Sequence, residues 1–292
     1  MEKGVDIMYL IIDGKKLAAS MREDIAARAA SAAEKNGRRP CLAVIKVGSD
    51  PASQTYVKNK EKACAACSIE SLKYELPETT AEDELLALIA SLNGDSRVDG
   101  ILCQLPLPKH IDEGRITDAI SPEKDVDGFS PVSLGKLLSG KDSFLPCTPA
   151  GIIKLLKSAA TPIAGKHCVI IGRSNIVGKP SALLMLRENA TVTVCHSRTE
   201  HLADEVRRAD IVIAAVGKAK FVTADMIKDG ATVIDVGINR DESGRLCGDV
   251  DFENVAPKCR AITPVPGGVG PMTVTMLMEN TLKAFEMHCK KQ

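Results

Sequence analysis

Short apolar runs alternate with helical segments along the chain, and this alternation limits the possible folds more than any other feature. In the first half the predicted elements are strand Cys41–Val47, helix Pro51–Cys67, a strand near Glu70–Glu75, helix Ala81–Leu92 and strand Gly100–Leu105. Successive strands that are joined by helical crossovers form parallel sheets with helices packed on their faces. The sequence therefore predicts an α/β fold with a mostly parallel sheet.

A second alternation starts at His167–Gly172, which is an apolar strand that ends in a glycine. It continues with helix Lys179–Asn189, strand Thr191–Cys195, helix His201–Ala209 and strands Ile211–Ala215 and Thr232–Val236. This order is typical of a Rossmann-like domain. We therefore expect a first domain over residues 1–148, with a C-terminal helix in 271–292 packing back on it, and a Rossmann-like domain over 149–270.

Composition excludes several classes of partner. The 292 residues contain 38 Lys and Arg and 38 Asp and Glu, so the net charge gives no general attraction to nucleic acid or anionic membranes. Aromatic residues make up only 3% of the chain, which argues against base stacking. We find neither a secretory signature nor an apolar run of membrane-spanning length, and we expect a cytoplasmic protein.

The ten cysteines are scattered, which predicts free thiols in a reducing compartment. Cys64 and Cys67 form a C-x-x-C inside a predicted helix, without the second pair that a zinc site needs. Asp125 and Asp127 are too few carboxylates for a metal site, and an Asp-Gly turn is the simpler explanation for them. We therefore predict no metal.

Lys60 is the strongest candidate for chemistry. Asp50 and Pro51 are typical of a helix start, and on the following helix Ser53, Tyr56 and Lys60 share one face. A lysine in an apolar pocket loses its proton more easily and can then act as a base. The alternative is a lysine whose stem packs while its charged end reaches water.

Gln104 is a second candidate, because it stands near the end of an apolar strand that Pro106 terminates. In open α/β sheets, ligands bind beyond the carboxyl ends of the strands. The alternative is a glutamine that is satisfied by the local backbone.

The segment from Gly172 to Pro180 follows a strand and precedes a helix, so its free N–H groups can bind phosphate. It matches neither the G-x-G-x-x-G nor the Walker A pattern. NAD sites usually have an acidic residue after the second strand, where this chain has Ser197 and Arg198. Together with Arg173 these residues favour the 2′-phosphate of NADP, the alternative being solvated arginines.

The stretch Thr263–Thr273 is rich in glycine and proline, which fixes a special backbone course and permits a close approach of a ligand. The alternative is a connector between domains.

Five motifs together resemble one enzyme family. They are V-G-x-D-P-A-S-x-x-Y-V-x-x-K, G-I-L-x-Q-L-P-L-P, P-x-K-D-V-D-G-F, G-R-S-x-x-V-G-x-P and T-P-V-P-G-G-V-G-P-M-T. The chain is similar along nearly its whole length to the bifunctional methylenetetrahydrofolate dehydrogenase/methenyltetrahydrofolate cyclohydrolase family, known as FolD in bacteria. One departure is Ser68, where the family usually has glycine, at a local cost of up to about 1 kcal/mol.

The resemblance implies a two-lobed enzyme with a cleft, which oxidises 5,10-methylenetetrahydrofolate with NADP and hydrolyses the product to 10-formyltetrahydrofolate. It implies a catalytic Lys60 oriented by Gln104, with Tyr56 packed on the folate ring and Asp127 anchoring the pterin. The other implied contacts are Ser53, Pro266, Gly267, Gly268, Val269 and Gly270 for folate, Gly172, Arg173, Ser174, Ser197 and Arg198 for NADP, and Ile238 beside the nicotinamide. A homodimer is also implied.

Two rival interpretations remain open from the sequence. One is another NADP dehydrogenase on the same two-lobed plan, acting on a small carboxylate substrate, which would not need Tyr56, Lys60, Gln104 and Asp127 together. The other is a protein that binds folate or nucleotide without turnover.

Overall fold

The computed structural model describes residues 9–48 and 51–290, without the side chains of residues 51–56. The described chain forms two compact units. We call Ala19–Cys147 with residues 274–290 the N-terminal unit, and residues 9–18 with Thr148–Thr273 the Rossmann unit.

The strands are β1 (Leu10–Ile11), β2 (Cys41–Val47), β3 (Glu70–Leu76), β4 (Gly100–Cys103), β5 (His167–Ile171), β6 (Thr191–Cys195), β7 (Ile211–Ala214), β8 (Thr232–Asp235), β9 (Asn239–Arg240), β10 (Leu246–Cys247) and β11 (Ala261–Ile262). The α-helices are α1 (Gly14–Asn36), α2 (Pro51–Ala66), α3 (Glu82–Gly94), α4 (Glu113–Ala119), α5 (Pro131–Leu138), α6 (Cys147–Ser158), α7 (Gly178–Arg187), α8 (Leu202–Arg207), α9 (Phe252–Val255) and α10 (Val269–Cys289).

Two parallel sheets organise the units. In the N-terminal unit the order is β3-β2-β4, and every residue of the central strand β2 is buried. In the Rossmann unit the order is β1-β11-β8-β7-β5-β6, and all five pairings are parallel. The predicted α/β class with parallel sheets is therefore confirmed.

Several element boundaries differ from the sequence-based prediction. Strand β1 pairs with β11, so residues 9–18 belong to the Rossmann unit and not to a first domain. Helix α6 begins at Cys147, so the expected domain boundary at residues 148 and 149 lies inside a helix. Strand β4 ends at Cys103, which leaves Gln104 just beyond the strand, although its N–H still bonds Ile45 O at 2.8 Å.

The backbone at the end of α2 shows why glycine would be favoured at the position of Ser68. This residue has φ +57°, in the left-handed region that favours glycine. The following N–H, of Ile69, bonds the carbonyl of Cys64 at 2.9 Å and closes the helix. Among the described helices, none combines the length and apolarity needed to cross a bilayer.

Candidate active site

Lys60 lies on the inner face of α2. Its side chain is 9% exposed, whereas Lys58, two residues earlier, is exposed. Val57 and Cys64, one turn away on either side, are buried with it. The helical spacing of apolar residues therefore turns this one amine inward, and the alternative of a lysine that reaches water does not hold.

Gln104 accepts a hydrogen bond from Lys60 Nζ through Oε1, over 2.8 Å. Its amide Nε2 donates to the carbonyl of Leu105 at 2.6 Å. The second bond fixes which end of the amide faces Lys60. In a flipped amide, Oε1 would face the carbonyl of Leu105 and the N–H groups would face the Lys60 ammonium, so neither bond could form. Gln104 thus meets both the local backbone and the lysine.

The two aspartates of the D-V-D-G turn have different surroundings. Asp125 is buried and accepts bonds from the N–H groups of Gly128, Phe129 and Ser130 at 3.1, 3.2 and 2.8 Å, and from Ser133 Oγ at 3.1 Å. Asp127 is half-buried and is near enough to Lys60 for the two charges to interact. Asp125 therefore stabilises the turn, and Asp127 is left to face the lysine.

Burial dominates the electrostatics of this site. It lowers the pKa of Lys60, and the nearby Asp127 charge opposes that shift only in part. Burial likewise raises the pKa of Asp127, with Lys60 opposing and Asp125 adding to the shift. Both groups therefore shift towards their neutral forms, which makes the lysine a better base.

Two thiols near the lysine are not identifiable as site residues from the sequence. Cys147 is buried, donates to Val126 O at 3.4 Å and hydrogen-bonds the side chain of Asp127. Burial raises the pKa of Cys103 to about 12, so this thiol stays protonated. Neither residue stands in a recognisable cysteine motif, so nothing in the chain order indicates their position.

The side chains of Ser53 and Tyr56 lie outside the described residues, although their backbone is part of α2. The segment Pro266–Gly270 groups with the Rossmann unit and not with Lys60. Helix α10 begins within it, at Val269. A Cβ on Gly268 would lie 2.6 Å from Pro264 O, so the backbone there is tightly packed and requires glycine.

The turn after β5 has the close backbone packing of a dinucleotide site. Gly172 has φ +136°, and a Cβ there would lie 2.2 Å from the carbonyl of Ala215. A Cβ on Gly178, the first residue of α7, would lie 2.2 Å from Gly172 O. Ser174 Oγ accepts bonds from the N–H groups of Val177 and Gly178 at 3.2 and 3.3 Å. The glycines thus clear space at the start of a ten-residue helix, as phosphate binding requires.

The candidate cofactor contacts follow the ends of three strands of the Rossmann unit, β5, β6 and β8. Arg173 follows β5, and Arg198 follows the neighbouring strand β6. The last residue of β5, Ile171, is paired with the last residue of β6, Cys195. Both arginines and Ser174 and Ser197 are exposed. Ile238 is 52% exposed just beyond β8, an unusual position for a large apolar side chain unless a ligand covers it. Two exposed arginines, one in the turn after β5 and one after the adjacent strand, have the charge that the extra phosphate of NADP requires.

Two family models match nearly the whole chain. The catalytic domain of tetrahydrofolate dehydrogenase/cyclohydrolase matches residues 12–127, and the NAD(P)-binding domain of the same enzymes matches residues 146–289. The first range contains Lys60, Gln104 and Asp127, and the second contains the turn after β5.

The relatives align with nearly the whole chain. The bifunctional protein FolD of Agathobacter rectalis is 60% identical over 279 residues, which is 96% of this chain and 100% of the relative. A crystal structure of FolD from Campylobacter jejuni is 52% identical with a TM-score of 0.94 and covers 96% of this chain and 99% of that one. A Trypanosoma brucei FolD, solved with NADP cofactor and an inhibitor, is 41% identical with a TM-score of 0.92 over 96% of this chain and 98% of that one. The chain therefore belongs to the tetrahydrofolate dehydrogenase/cyclohydrolase family.

Proposed function

We propose that this protein catalyses two consecutive steps of folate one-carbon chemistry. It oxidises 5,10-methylenetetrahydrofolate with NADP+, and it hydrolyses the resulting 5,10-methenyl cation to 10-formyltetrahydrofolate. The observation that carries the proposal is the hydrogen bond between the buried Lys60 and the half-buried Gln104, in the part of the chain that matches the family's catalytic domain.

Lys60 is the base of the hydrolytic step. Its pKa is lowered by burial, and the cationic methenyl carbon beside it would disfavour the ammonium further. The neutral amine takes a proton from the water that attacks this carbon, and it returns that proton to the ring nitrogen that departs. The remaining hydroxyl proton is released to solvent as the formyl carbonyl forms. Gln104 Oε1 holds the amine in place throughout, because both the amine and the ammonium have an N–H to donate.

Substrate orientation is assigned to the remaining residues of the N-terminal unit. The Asp127 carboxylate suits the pterin ring, since it can accept two parallel N–H bonds from the amino group and the ring nitrogen. We assign Tyr56 to packing on the folate ring and Ser53 to polar contact, on the basis of their places on α2. From the Rossmann unit we also assign Pro266, Gly267, Gly268, Val269 and Gly270 to the folate side, where the three glycines permit close approach of a ligand.

Bound NADP+ would supply the hydride acceptor for the one-carbon bridge, whose two flanking nitrogens favour loss of the hydride. The chain's part is to hold the dinucleotide: Gly172 and Ser174 at the phosphates, Arg173, Ser197 and Arg198 at the 2′-phosphate, and Ile238 against the nicotinamide. The exposed side chains of Arg173, Ser174, Ser197, Arg198 and Ile238, which follow β5, β6 and β8, support this assignment.

A single spectrophotometric experiment tests the proposal. The protein is mixed with methylenetetrahydrofolate and NADP+, and methenyl absorbance and NADPH are followed together, with NAD+ in a parallel reaction. We expect NADPH to form, the methenyl signal to decay to the formyl product, and NADP+ to be preferred. Binding of both ligands without turnover would leave only the non-catalytic interpretation.

We also propose a homodimer in the cytoplasm. Strand β6 is at one edge of the six-stranded sheet, and Val194 on it and Leu186 on the adjacent α7 are 38% and 54% exposed. An open edge beside exposed apolar side chains favours association with a second copy. Light scattering coupled to size exclusion should give twice the chain mass of 31.1 kDa, and 31.1 kDa alone would contradict the dimer.

A further inference from the structure

Two buried carboxylates of the Rossmann unit have no role in the chemistry described above. Asp235, the last residue of β8, is 3% exposed, and Asp249 is 0% exposed. Asp235 accepts bonds from the N–H groups of Gly237, Asp249 and Val250 at 3.0, 2.9 and 3.0 Å. It therefore holds the segment that contains Asp249 against the carboxyl end of β8.

Asp249 in turn links two loops. Its Oδ2 accepts from the N–H groups of Val216 and Gly217, at 2.6 and 3.0 Å, in the loop that follows β7. Its Oδ1 accepts from Lys218 N at 2.9 Å in the same loop, and from Asn239 Nδ2 at 2.9 Å beyond β8. One side chain thus fixes the spacing between the segments that leave two adjacent strands.

These loops lie where half of a dinucleotide belongs. The sheet order β8-β7-β5-β6 places β6 on one side of β5 and β7 on the other, and ligands of such sheets bind across this switch point. The turn after β5 and the two arginines place the phosphates and the 2′-phosphate half of the dinucleotide on the side of β5 and β6. The nicotinamide half then extends over the ends of β7 and β8. The carbonyl of Ala215, next to the first bonded residue Val216, already packs against Gly172 of the phosphate turn.

We propose that Asp249 is a positioning residue for the cofactor: it holds loop 215–218 and loop 237–239 at the spacing that seats the nicotinamide half, including the exposed Ile238. The inference rests on the proposed function only in taking NADP+ as the dinucleotide. Asp249 does not touch the reacting atoms and acts through the two loops.

The partners of Asp249 suggest a substitution that removes hydrogen-bond acceptors with almost no change in side-chain size. All four partners of the Asp249 carboxylate are N–H donors. In Asp249→Asn, either orientation of the amide places its NH₂ against two of these donors. Loop 215–218 then loses the bonds of Val216 and Gly217, or it loses the bond of Lys218 while loop 237–239 loses its bond from Asn239. Asn239→Ala is milder, because it removes only the link to the loop after β8. Asp251→Asn is the matched control, since Asp251 bonds Asn254 Nδ2 and contacts neither loop through its side chain.

The experiment measures NADP+ binding by calorimetry, amide hydrogen exchange of the ligand-free protein and the kinetics of both activities. For Asp249→Asn we expect the NADP+ dissociation constant and KM to rise about tenfold or more, with kcat at saturation within about threefold. Amides 216–218 should exchange faster, and methenyl hydrolysis, which needs no dinucleotide, should stay within about twofold. Asn239→Ala should weaken NADP+ binding by about threefold, and Asp251→Asn should match the wild type.

Unchanged NADP+ affinity in Asp249→Asn would overturn the inference, and so would unchanged exchange of the two loops. If that variant does not fold, wild-type affinity in Asn239→Ala overturns it instead. A wild-type protein that fails to bind NADP+ would remove the proposed function itself, which is a different result from loss of binding in the variants alone.

Discussion

Lys60 Nζ donates to Gln104 Oε1 over 2.8 Å, and the acceptor is a neutral amide whose orientation is set by its own bond to Leu105 O. A neutral acceptor serves the amine as well as the ammonium, whereas a carboxylate in its place would favour the ammonium strongly. The pair therefore fixes the position of the lysine without holding it in its charged form.

Replacement of Lys60 by methionine tests the role of the base. Methionine fills the apolar environment of the stem and removes the proton acceptor, so we expect the cyclohydrolase rate to fall by about 10²–10⁴-fold while folate still binds. The assay follows methenyl absorbance, with folate binding measured separately. Lys58→Met is the matched control, because Lys58 is exposed on the same helix, and wild-type turnover in Lys60→Met would refute the assignment.

Gln104→Glu tests the neutral acceptor. A carboxylate beside Lys60 would raise the pKa of the lysine. The cyclohydrolase rate rises with pH as Lys60 loses its proton, and we expect this rise to occur about one pH unit or more higher in the variant. Activity near neutral pH falls accordingly. Gln104→Met removes the hydrogen bond without adding charge, and its pH profile should show no such upward displacement. Superimposable profiles for Gln104→Glu and wild type would contradict the electrostatic argument.

The inward position of Lys60 could be predicted from the sequence because helix periodicity determines it, and the predicted strand Cys41–Val47 matches β2. The sequence does not show that Asp125 stabilises the turn while Asp127 faces Lys60, since this depends on which carboxylate the backbone N–H groups of the turn bind. The same holds for Cys147, which reaches the site from the start of α6, and for Asp249, whose partners lie 10 to 33 residues away in the chain. Contacts that depend on tertiary packing leave no local pattern in a single sequence.

Asparagine substitutions should separate the two aspartates of this turn. Asp125→Asn leaves backbone N–H groups facing an amide NH₂, so we expect a loss of about 1–3 kcal/mol in the free energy of unfolding. Asp127→Asn removes a carboxylate that is costly to bury, so stability should stay within about 0.5 kcal/mol while the KM for folate rises. Urea unfolding and steady-state kinetics on both variants provide the measurements. Equal effects of the two substitutions on stability would show that this distinction is wrong.

Ser68→Gly should stabilise the protein. Ser68 has φ +57°, and glycine adopts this conformation without the steric cost of a Cβ. We expect the free energy of unfolding to rise by up to about 1 kcal/mol, measured by urea denaturation, with both enzymatic rates unchanged. Gly37→Ala is a reciprocal control, because Gly37 has φ +70° after α1 with open space around its Cα, and it should lose stability. A destabilised Ser68→Gly would show that the hydroxyl has a role that outweighs the backbone strain.

Asp235 should make stability depend on pH in the direction opposite to that of an ordinary surface carboxylate. Burial raises the pKa of Asp235 to about 6, against 3.8 for the free side chain, although three backbone N–H bonds oppose the shift. The folded protein therefore binds this proton more tightly than the unfolded chain does. The resulting stabilisation is fully present below pH 4 and is lost as the pH rises through about 6.

The measurement compares wild type with Asp235→Asn by urea unfolding at several pH values between 4 and 7. Subtracting the two curves removes the titration of all other groups that the substitution leaves undisturbed. The advantage of wild type over the variant should grow by roughly 2.5 kcal/mol as the pH falls from 7 to 4. This is most of the full linkage of about 3 kcal/mol, since each unit of pKa shift corresponds to about 1.4 kcal/mol. Parallel curves would mean that Asp235 titrates alike in the folded and unfolded states, and that its burial does not control its charge.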